Sequence, residues 1–221
     1  MSAQTVPVAT SLADIYAPDD LKSQTRRWEH LLARFKEHYG APADFVARSP
    51  GRLNIIGEHI DYSLYSVLPM AITADAILAV AAAAPGTDDG GAKHFKVEVA
   101  NVDGARFPAR TFDVPLDGDV DIDASVHEWT NYFKSGLRGA LQLLRRRRGG
   151  EKGQEPFVPR SLRVLMHGTV PAGGGLSSSA AFVTASALAV LVANGVRDVD
   201  KKELTELAIV SERAVGVNSG G

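Results

Sequence analysis

Residues 171–181 (PAGGGLSSSAA) form the segment of the sequence best suited to bind an anion. Consecutive glycines let the backbone turn tightly and approach a ligand closely. Serines follow where a helix is expected to begin, and free N–H groups and the helix dipole there favour phosphate. Serine hydroxyls also suit magnesium. The candidate residues are Gly173, Gly174, Gly175, Leu176, Ser177, Ser178 and Ser179.

This segment is not the lysine-containing P-loop, because it lacks the G-x-x-x-x-G-K-[ST] pattern. Nor does it fit the G-x-G-x-x-G fingerprint of dinucleotide-binding folds. A tight strand-to-helix turn with serine caps would have the same composition. Composition alone therefore leaves phosphate binding and a structural turn equally open.

A second group of polar residues lies within residues 48–62 (RSPGRLNIIGEHIDY). Arg52 suits a transferring phosphate or a developing alkoxide, and carboxylates accept strong hydrogen bonds from sugar hydroxyls. Three interpretations compete for Glu58, His59 and Asp61: a metal site with no evident partner cluster, a solvated loop, or a substrate site. Residue types alone favour the solvated loop.

The bulk composition is that of an ordinary globular protein of 221 residues, with 45% hydrophobic and 23% charged residues and a formal net charge of −2. No cysteine is present, which excludes disulfides and cysteine-ligated zinc. The near-neutral charge gives no reason to expect nucleic-acid binding. The start lacks a basic-then-apolar pattern, and no apolar run approaches the length of a membrane span. A cytoplasmic protein without membrane partners agrees with these features.

The hydrophobic pattern predicts strands and helices in an α+β arrangement rather than a regular βαβ repeat. Residues 1–20 are expected to be an irregular arm before a helix over 21–39. Residues 49–51 (SPG) indicate a turn between two short apolar segments, 45–47 and 53–56. The remaining strands are predicted at 67–72, 76–84, 94–100, 106–114 and 162–167, and the remaining helices at 128–147, 178–193 and 201–215.

Together, the two motifs resemble the GHMP family of small-molecule kinases. The order proline, glycines and Gly-Leu-Ser-Ser-Ser-Ala in 171–181 is similar to the loop that wraps ATP phosphates in that family. The order Gly-Arg, Asn, Ile-Gly-Glu-His and Asp-Tyr in 51–62 resembles the galactokinase signature. Residues 63–69 and 128–134 look like the fungal branch. The resemblance implies the GHMP N-terminal fold, like domain 2 of ribosomal protein S5, with a mixed or antiparallel sheet over 21–221.

The resemblance also implies roles by position. Arg52 would assist phosphoryl transfer, and with Glu58, His59 and Asp61 it would hold galactose. Trp129 would pack in the core or lie near the adenine pocket. The resemblance further implies a magnesium site at Ser179 and Glu212, although a plain surface glutamate is the alternative for the latter.

The resemblance implies a galactokinase that uses ATP and magnesium to make galactose 1-phosphate and ADP. In galactokinases a glycine pair such as 220–221 is followed by Met-Asp-Gln, so the catalytic aspartate and the C-terminal domain are expected beyond this chain. We therefore expect weak or no activity from the chain alone. Two alternatives stay open: a galactose- and ATP-binding sensor with a regulatory protein partner, and an N-acetylgalactosamine kinase. The complete serine run 177–179 favours a kinase over a sensor.

Overall fold

The computed structural model describes residues 4–57, 60, 63, 65–83, 93–149 and 157–216. Glu58, His59 and Asp61 lie outside the described residues, as does the chain end at 217–221. The helices are α1 (Pro18–Tyr39), α2 (Thr130–Gly149), α3 (Ser178–Ala193) and α4 (Lys201–Glu212), with short 3-10 turns at Leu12–Asp14 and Arg213–Val215. The strands are β1 (Phe45–Ile56), β2 (Leu68–Ala82), β3 (His94–Asn101), β4 (Arg110–Pro115) and β5 (Leu162–Gly168).

The strands form one mixed sheet in the order β1-β2-β5-β3-β4. β3 and β5 are parallel, and the other neighbouring pairs are antiparallel. This mixed sheet with packed helices confirms the α+β prediction. β5 is the last of the described strands along the chain, yet it lies at the centre of the sheet.

Two apolar layers cover the sheet. On one face, Leu31 and Phe35 of α1 pack on Ile77. On the other face, α2 and α3 pack on the neighbouring side chains Leu78 and Val80. Because successive strand residues point to opposite faces, β2 must be apolar at every position between two layers. Residues 76–80 satisfy this requirement, and all five are buried.

Helix α3 lies inside the protein and has almost no polar face. Its residues 181–183 and 185–191 are all buried, between the sheet and helices α2 and α4. Close approach to α2 depends on Gly136, where an added Cβ would lie 2.5 Å from the Val183 carbonyl oxygen. The first turn of α3, which carries the serine run, is therefore held by a rigid and densely packed support.

The predicted turn at 49–51 is wrong, because β1 continues through it. Pro50 lies opposite Asp75 of β2, and the pairing register shifts between Pro50 and Arg52. A proline is tolerated there since β1 is at the edge of the described sheet and its missing N–H costs no ladder bond. Residues 67–72 and 76–84 likewise belong to one strand, β2, which continues through the polar Asp75.

The irregular arm predicted over residues 1–20 is shorter than expected, because α1 begins at Pro18. Proline suits the first helical position because the N–H it lacks would have no intrahelical partner. The preceding residues are tied to the protein rather than free: the Val6 N–H donates to the Val199 carbonyl oxygen at 2.8 Å. In the part of the chain described, no helix has the length and apolar character needed to cross a membrane.

Candidate functional site

The glycine-rich loop between β5 and α3 adopts a left-handed backbone at three positions. Gly173 and Gly175 have φ of 74° and 68°, and Ser177 has φ of 57°. Among the described residues, Ser177 is the only non-glycine with positive φ. Such a conformation in a non-glycine residue costs about 1–3 kcal/mol and is common at ligand sites. No side-chain cap closes the start of α3, so its first N–H groups remain available to an anion.

A cavity of about 970 Å³ opens beside this loop. Its wall combines the loop with the carboxyl ends of β3 and β5 and the start of α2. Ser178 and Ser179 line the cavity together with the aromatic side chains of Phe107 and Trp129. Among the described residues, the lining consists of Asn101, Val102, Asp103, Arg106, Phe107, His127, Trp129, Tyr132, Met166, His167, Gly168, Val170, Ala172, Gly173, Ser178, Ser179 and Phe182.

Trp129 both packs against the core and lines the cavity. Its ring stacks on Phe182 with the centroids 6.0 Å apart and the planes 11° from parallel, and Phe107 approaches it at 5.8 Å. The indole N–H donates to the Pro108 carbonyl oxygen at 3.0 Å, which fixes the ring orientation. An aromatic wall held this firmly offers a flat apolar surface to a planar ring.

The two sequence motifs meet through the backbone. The Arg52 N–H donates to the Leu176 carbonyl oxygen at 3.0 Å, which joins β1 to the glycine-rich loop. An added Cβ on Gly51 would lie 2.9 Å from that same oxygen, so this position requires glycine. The structure thus places Arg52 beside the loop, whereas Glu58, His59 and Asp61 fall outside the described residues.

Ser179 and Glu212 are also brought together, although they lie on different helices. The Ser179 hydroxyl donates to Glu212 Oε1 at 2.5 Å. Glu212 is only 2% exposed, which rules out the alternative of a plain surface glutamate. Ser179 lines the cavity, and Glu212 lies buried directly behind it. A hydroxyl and a carboxylate are oxygen ligands that suit Mg²⁺, which typically takes only one or two protein ligands beside a phosphate. The residues present therefore fit this ion.

The sequence analysis did not identify the buried charge cluster around Asp75 of β2. Asp75 has no exposed surface, and its carboxylate contacts Arg27 at 2.6 Å and Arg48 at 2.5 Å. The Tyr16 hydroxyl donates to the same carboxylate at 2.6 Å. Burial, and then this hydrogen bond to Asp75, raise the pKa of Tyr16. The sequence feature that could have predicted this cluster is a single acidic residue within an apolar strand, because a buried charge requires buried partners.

This cluster extends to His167 on β5. The Arg27 Nε–H donates to His167 Nδ1 at 2.7 Å. Arginine is always a donor, so the imidazole must accept at Nδ1 and is held neutral. Burial lowers the pKa of His167, and the positive charges of Arg27 and His30 lower it further.

Two family models match the chain. The galactokinase galactose-binding signature matches residues 33–82, and the GHMP kinases N-terminal domain matches residues 131–221. Curated relatives include the galactokinase of Candida parapsilosis, 43% identical over 94% of this chain and 38% of that protein. The galactokinase of Schizosaccharomyces pombe is 41% identical over 98% of this chain and 40% of that protein. The galactokinase sequence of Candida maltosa is 37% identical over 96% of this chain and 91% of its own length.

Solved structures agree with the sequence relatives. The crystal structure of Lactococcus lactis galactokinase complexed with galactose superposes with a TM-score of 0.61, at 26% identity, over 87% of this chain and 44% of that chain. Mevalonate kinase of Methanococcus jannaschii, at 16% identity and a TM-score of 0.56, shares the fold. The chain spans about two-fifths of the length of the first two curated relatives.

Proposed function

We propose that this chain, which belongs to the galactokinase family, forms the nucleotide-binding wall and part of the sugar site of an enzyme that phosphorylates galactose at the expense of ATP. The observation that carries the proposal is the backbone bond between Arg52 and Leu176, at 3.0 Å. It brings the signature strand and the glycine-rich loop to one place. The sugar and the phosphates would then meet at this junction, giving galactose 1-phosphate and ADP.

The nucleotide would lie in the cavity of about 970 Å³ with its phosphates on the loop. Left-handed Gly173 and Gly175 open the backbone, and the first N–H groups of α3 offer donors to phosphate oxygens. The adenine would stack against the aromatic wall at Trp129 and Phe107. In this arrangement, backbone groups of the loop and of α3 bind the phosphate end of the nucleotide, and aromatic side chains bind the adenine end.

Magnesium would be held by Ser179 and Glu212, whose oxygens are 2.5 Å apart. When bound, the ion would offset the negative charge of the phosphates. Arg52 would stabilise charge on the transferring group, since a guanidinium matches phosphate oxygens. We retain the prediction that Glu58, His59 and Asp61 hold the sugar hydroxyls. Transfer of this kind relies on positioning and electrostatics rather than on a covalent enzyme intermediate.

Other functions have less support. The sensor and N-acetylgalactosamine alternatives each predict sugar binding, but the curated relatives described above are all named galactokinases. No contact in the described residues favours either alternative. A cytoplasmic location is proposed by analogy with a sugar-metabolising kinase.

Calorimetry with ATP and magnesium tests the proposal. Binding is the appropriate readout because the chain spans only about two-fifths of its first curated relatives. Ser179→Ala should weaken magnesium-dependent ATP binding, whereas Ser125→Ala should not, since the Ser125 hydroxyl donates to Asp123 in an exposed turn. Absence of ATP binding by the folded wild-type chain would refute the nucleotide site.

Sugar specificity needs a separate titration. Galactose should bind in the presence of a non-hydrolysable ATP analogue, and N-acetylgalactosamine should compete poorly. Arg52→Lys should reduce galactose and phosphate affinity together, because a single ammonium cannot reproduce the planar guanidinium. Equal binding of both sugars would instead support the N-acetylgalactosamine kinase. A coupled assay of ADP release with each sugar then measures turnover.

A further inference from the structure

We propose that Asp75 is a positioning residue that sets the phosphate-binding loop against Arg52, and that Thr169 transmits its effect to the loop. The inference rests on the proposed nucleotide site and deepens it. Neither residue belongs to the motifs that suggested the kinase. Both lie at the base of the loop rather than in its glycine- and serine-rich part.

The Asp75 carboxylate is a buried charge held by three elements. Arg27 reaches it from α1 and Arg48 from β1, while Tyr16 donates a hydrogen bond from the segment before α1. The Arg27 guanidinium also donates to the carbonyl oxygens of Asp75 and His167, at 3.3 and 3.2 Å. Two cations facing one carboxylate give a fixed geometry, because any displacement would leave a buried charge without its partner.

Thr169 connects this cluster to the glycine-rich loop. The Asp75 N–H donates to Thr169 Oγ1 at 3.0 Å, and the Thr169 N–H donates to the Asp75 carbonyl oxygen at 2.9 Å. The Thr169 hydroxyl also donates to that carbonyl oxygen at 3.3 Å. Since Thr169 lies two residues before residue 171, these bonds determine where the loop leaves β5.

The other end of the loop is held by β1. Arg48 and Arg52 lie on the same strand, β1. The ion pair between Asp75 and Arg48 holds β1 in place. The Arg52 N–H of the same strand then donates to the Leu176 carbonyl oxygen. The loop is therefore anchored at Thr169 by the backbone of Asp75, and at Leu176 by β1, the strand whose Arg48 pairs with the Asp75 carboxylate. Trp129, which carries the aromatic wall, lies just before α2 and stacks on Phe182 of α3, and among the described residues no hydrogen bond or ion pair joins it to this cluster. Disturbing the cluster should consequently affect phosphate binding and leave adenine binding unchanged.

The decisive comparison is ATP against adenosine for Thr169→Val, which removes the hydroxyl at nearly constant volume. Dissociation constants are read by calorimetry. We expect ATP to bind about tenfold more weakly, because the two partly buried hydrogen bonds of the Thr169 hydroxyl are lost, and adenosine to stay within about twofold. Thr169→Ser should restore ATP binding because the hydroxyl returns. The matched control is Thr205→Val, which removes an exposed hydroxyl that donates to the Lys201 carbonyl oxygen at 2.8 Å.

The outcomes separate this inference from the proposed function. Unchanged ATP affinity in Thr169→Val, or equal losses for ATP and adenosine, would overturn the positioning role while leaving the nucleotide site intact. If the wild-type chain binds neither ligand, the proposed function fails, and hydrogen exchange decides the positioning role alone. Exchange at the Arg52 amide should then accelerate in Thr169→Val and in Asp75→Asn but not in Thr205→Val. Equal exchange rates in the variants and the wild-type chain would overturn the inference.

Discussion

Replacing Gly136 by alanine tests whether the crossing of α2 and α3 supports the site. The added Cβ would lie 2.5 Å from the Val183 carbonyl oxygen, 2.8 Å from Ser186 Cβ and 2.9 Å from the Ala187 nitrogen. Two of these atoms are backbone, so no rotamer change can relieve the overlap. Overpacking of this kind costs up to about 3 kcal/mol, and the better helix propensity of alanine returns about 1 kcal/mol.

The expected result is therefore a loss of about 2 kcal/mol in the free energy of unfolding, or a Tm lower by about 4–8 °C. Urea unfolding followed by circular dichroism measures the loss, and ATP affinity should fall as well, because the start of α3 must move. Gly104→Ala is the control, since its Cβ would meet only the Asn101 carbonyl oxygen at an ordinary 3.8 Å. Wild-type stability in Gly136→Ala would refute the close packing of α2 on α3.

Three further perturbations probe separate parts of the site. Because the pKa of His167 is lowered in the folded protein, the unfolded chain binds more protons as pH falls below the ordinary value of 6.5, and the free energy of unfolding declines there. His167→Gln should flatten this decline between neutral pH and about pH 5, as measured by urea titrations. Ser177→Gly should raise the free energy of unfolding by up to about 1 kcal/mol, because the left-handed backbone is relieved, and weaken ATP binding by calorimetry. Glu212→Gln should raise the magnesium concentration needed for ATP binding by about tenfold, with ATP affinity in the absence of magnesium unchanged.

Local patterns predicted the helices and the loop well. Helix α3 matches its predicted bounds of 178–193, because strong apolar character follows a serine-rich start. The contact between Ser179 and Glu212 joins two residues that the family resemblance had paired. Trp129 was expected either in the core or near adenine; its ring stacks on Phe182 and also lines the cavity, and the adenine contact stays a prediction. Their functional roles stay predictions until binding is measured.

Long-range pairing could not be predicted from these patterns. The Pro50-Gly51 step has turn-forming residues, yet it lies inside β1, since an edge strand tolerates proline and a register shift absorbs the irregularity. Asp75 interrupts an apolar run, and only the three-dimensional fold brings Arg27, Arg48 and Tyr16 to it. Sequence periodicity describes which way a side chain points but not which distant side chain meets it.

The central place of β5 has a consequence for synthesis on the ribosome. β5 separates β2 from β3, and it follows β2 by roughly 80 residues, counted from Ala82 to Leu162. At translation rates of about 5–20 residues per second, the β1–β2 hairpin emerges about 4–16 s before β5. The β3–β4 hairpin, which ends at Pro115, emerges about 2–9 s before it. During this interval each hairpin has an unpaired edge and an apolar face open to solvent. The nascent chain would therefore present two separate aggregation-prone hairpins until β5 pairs with both of them.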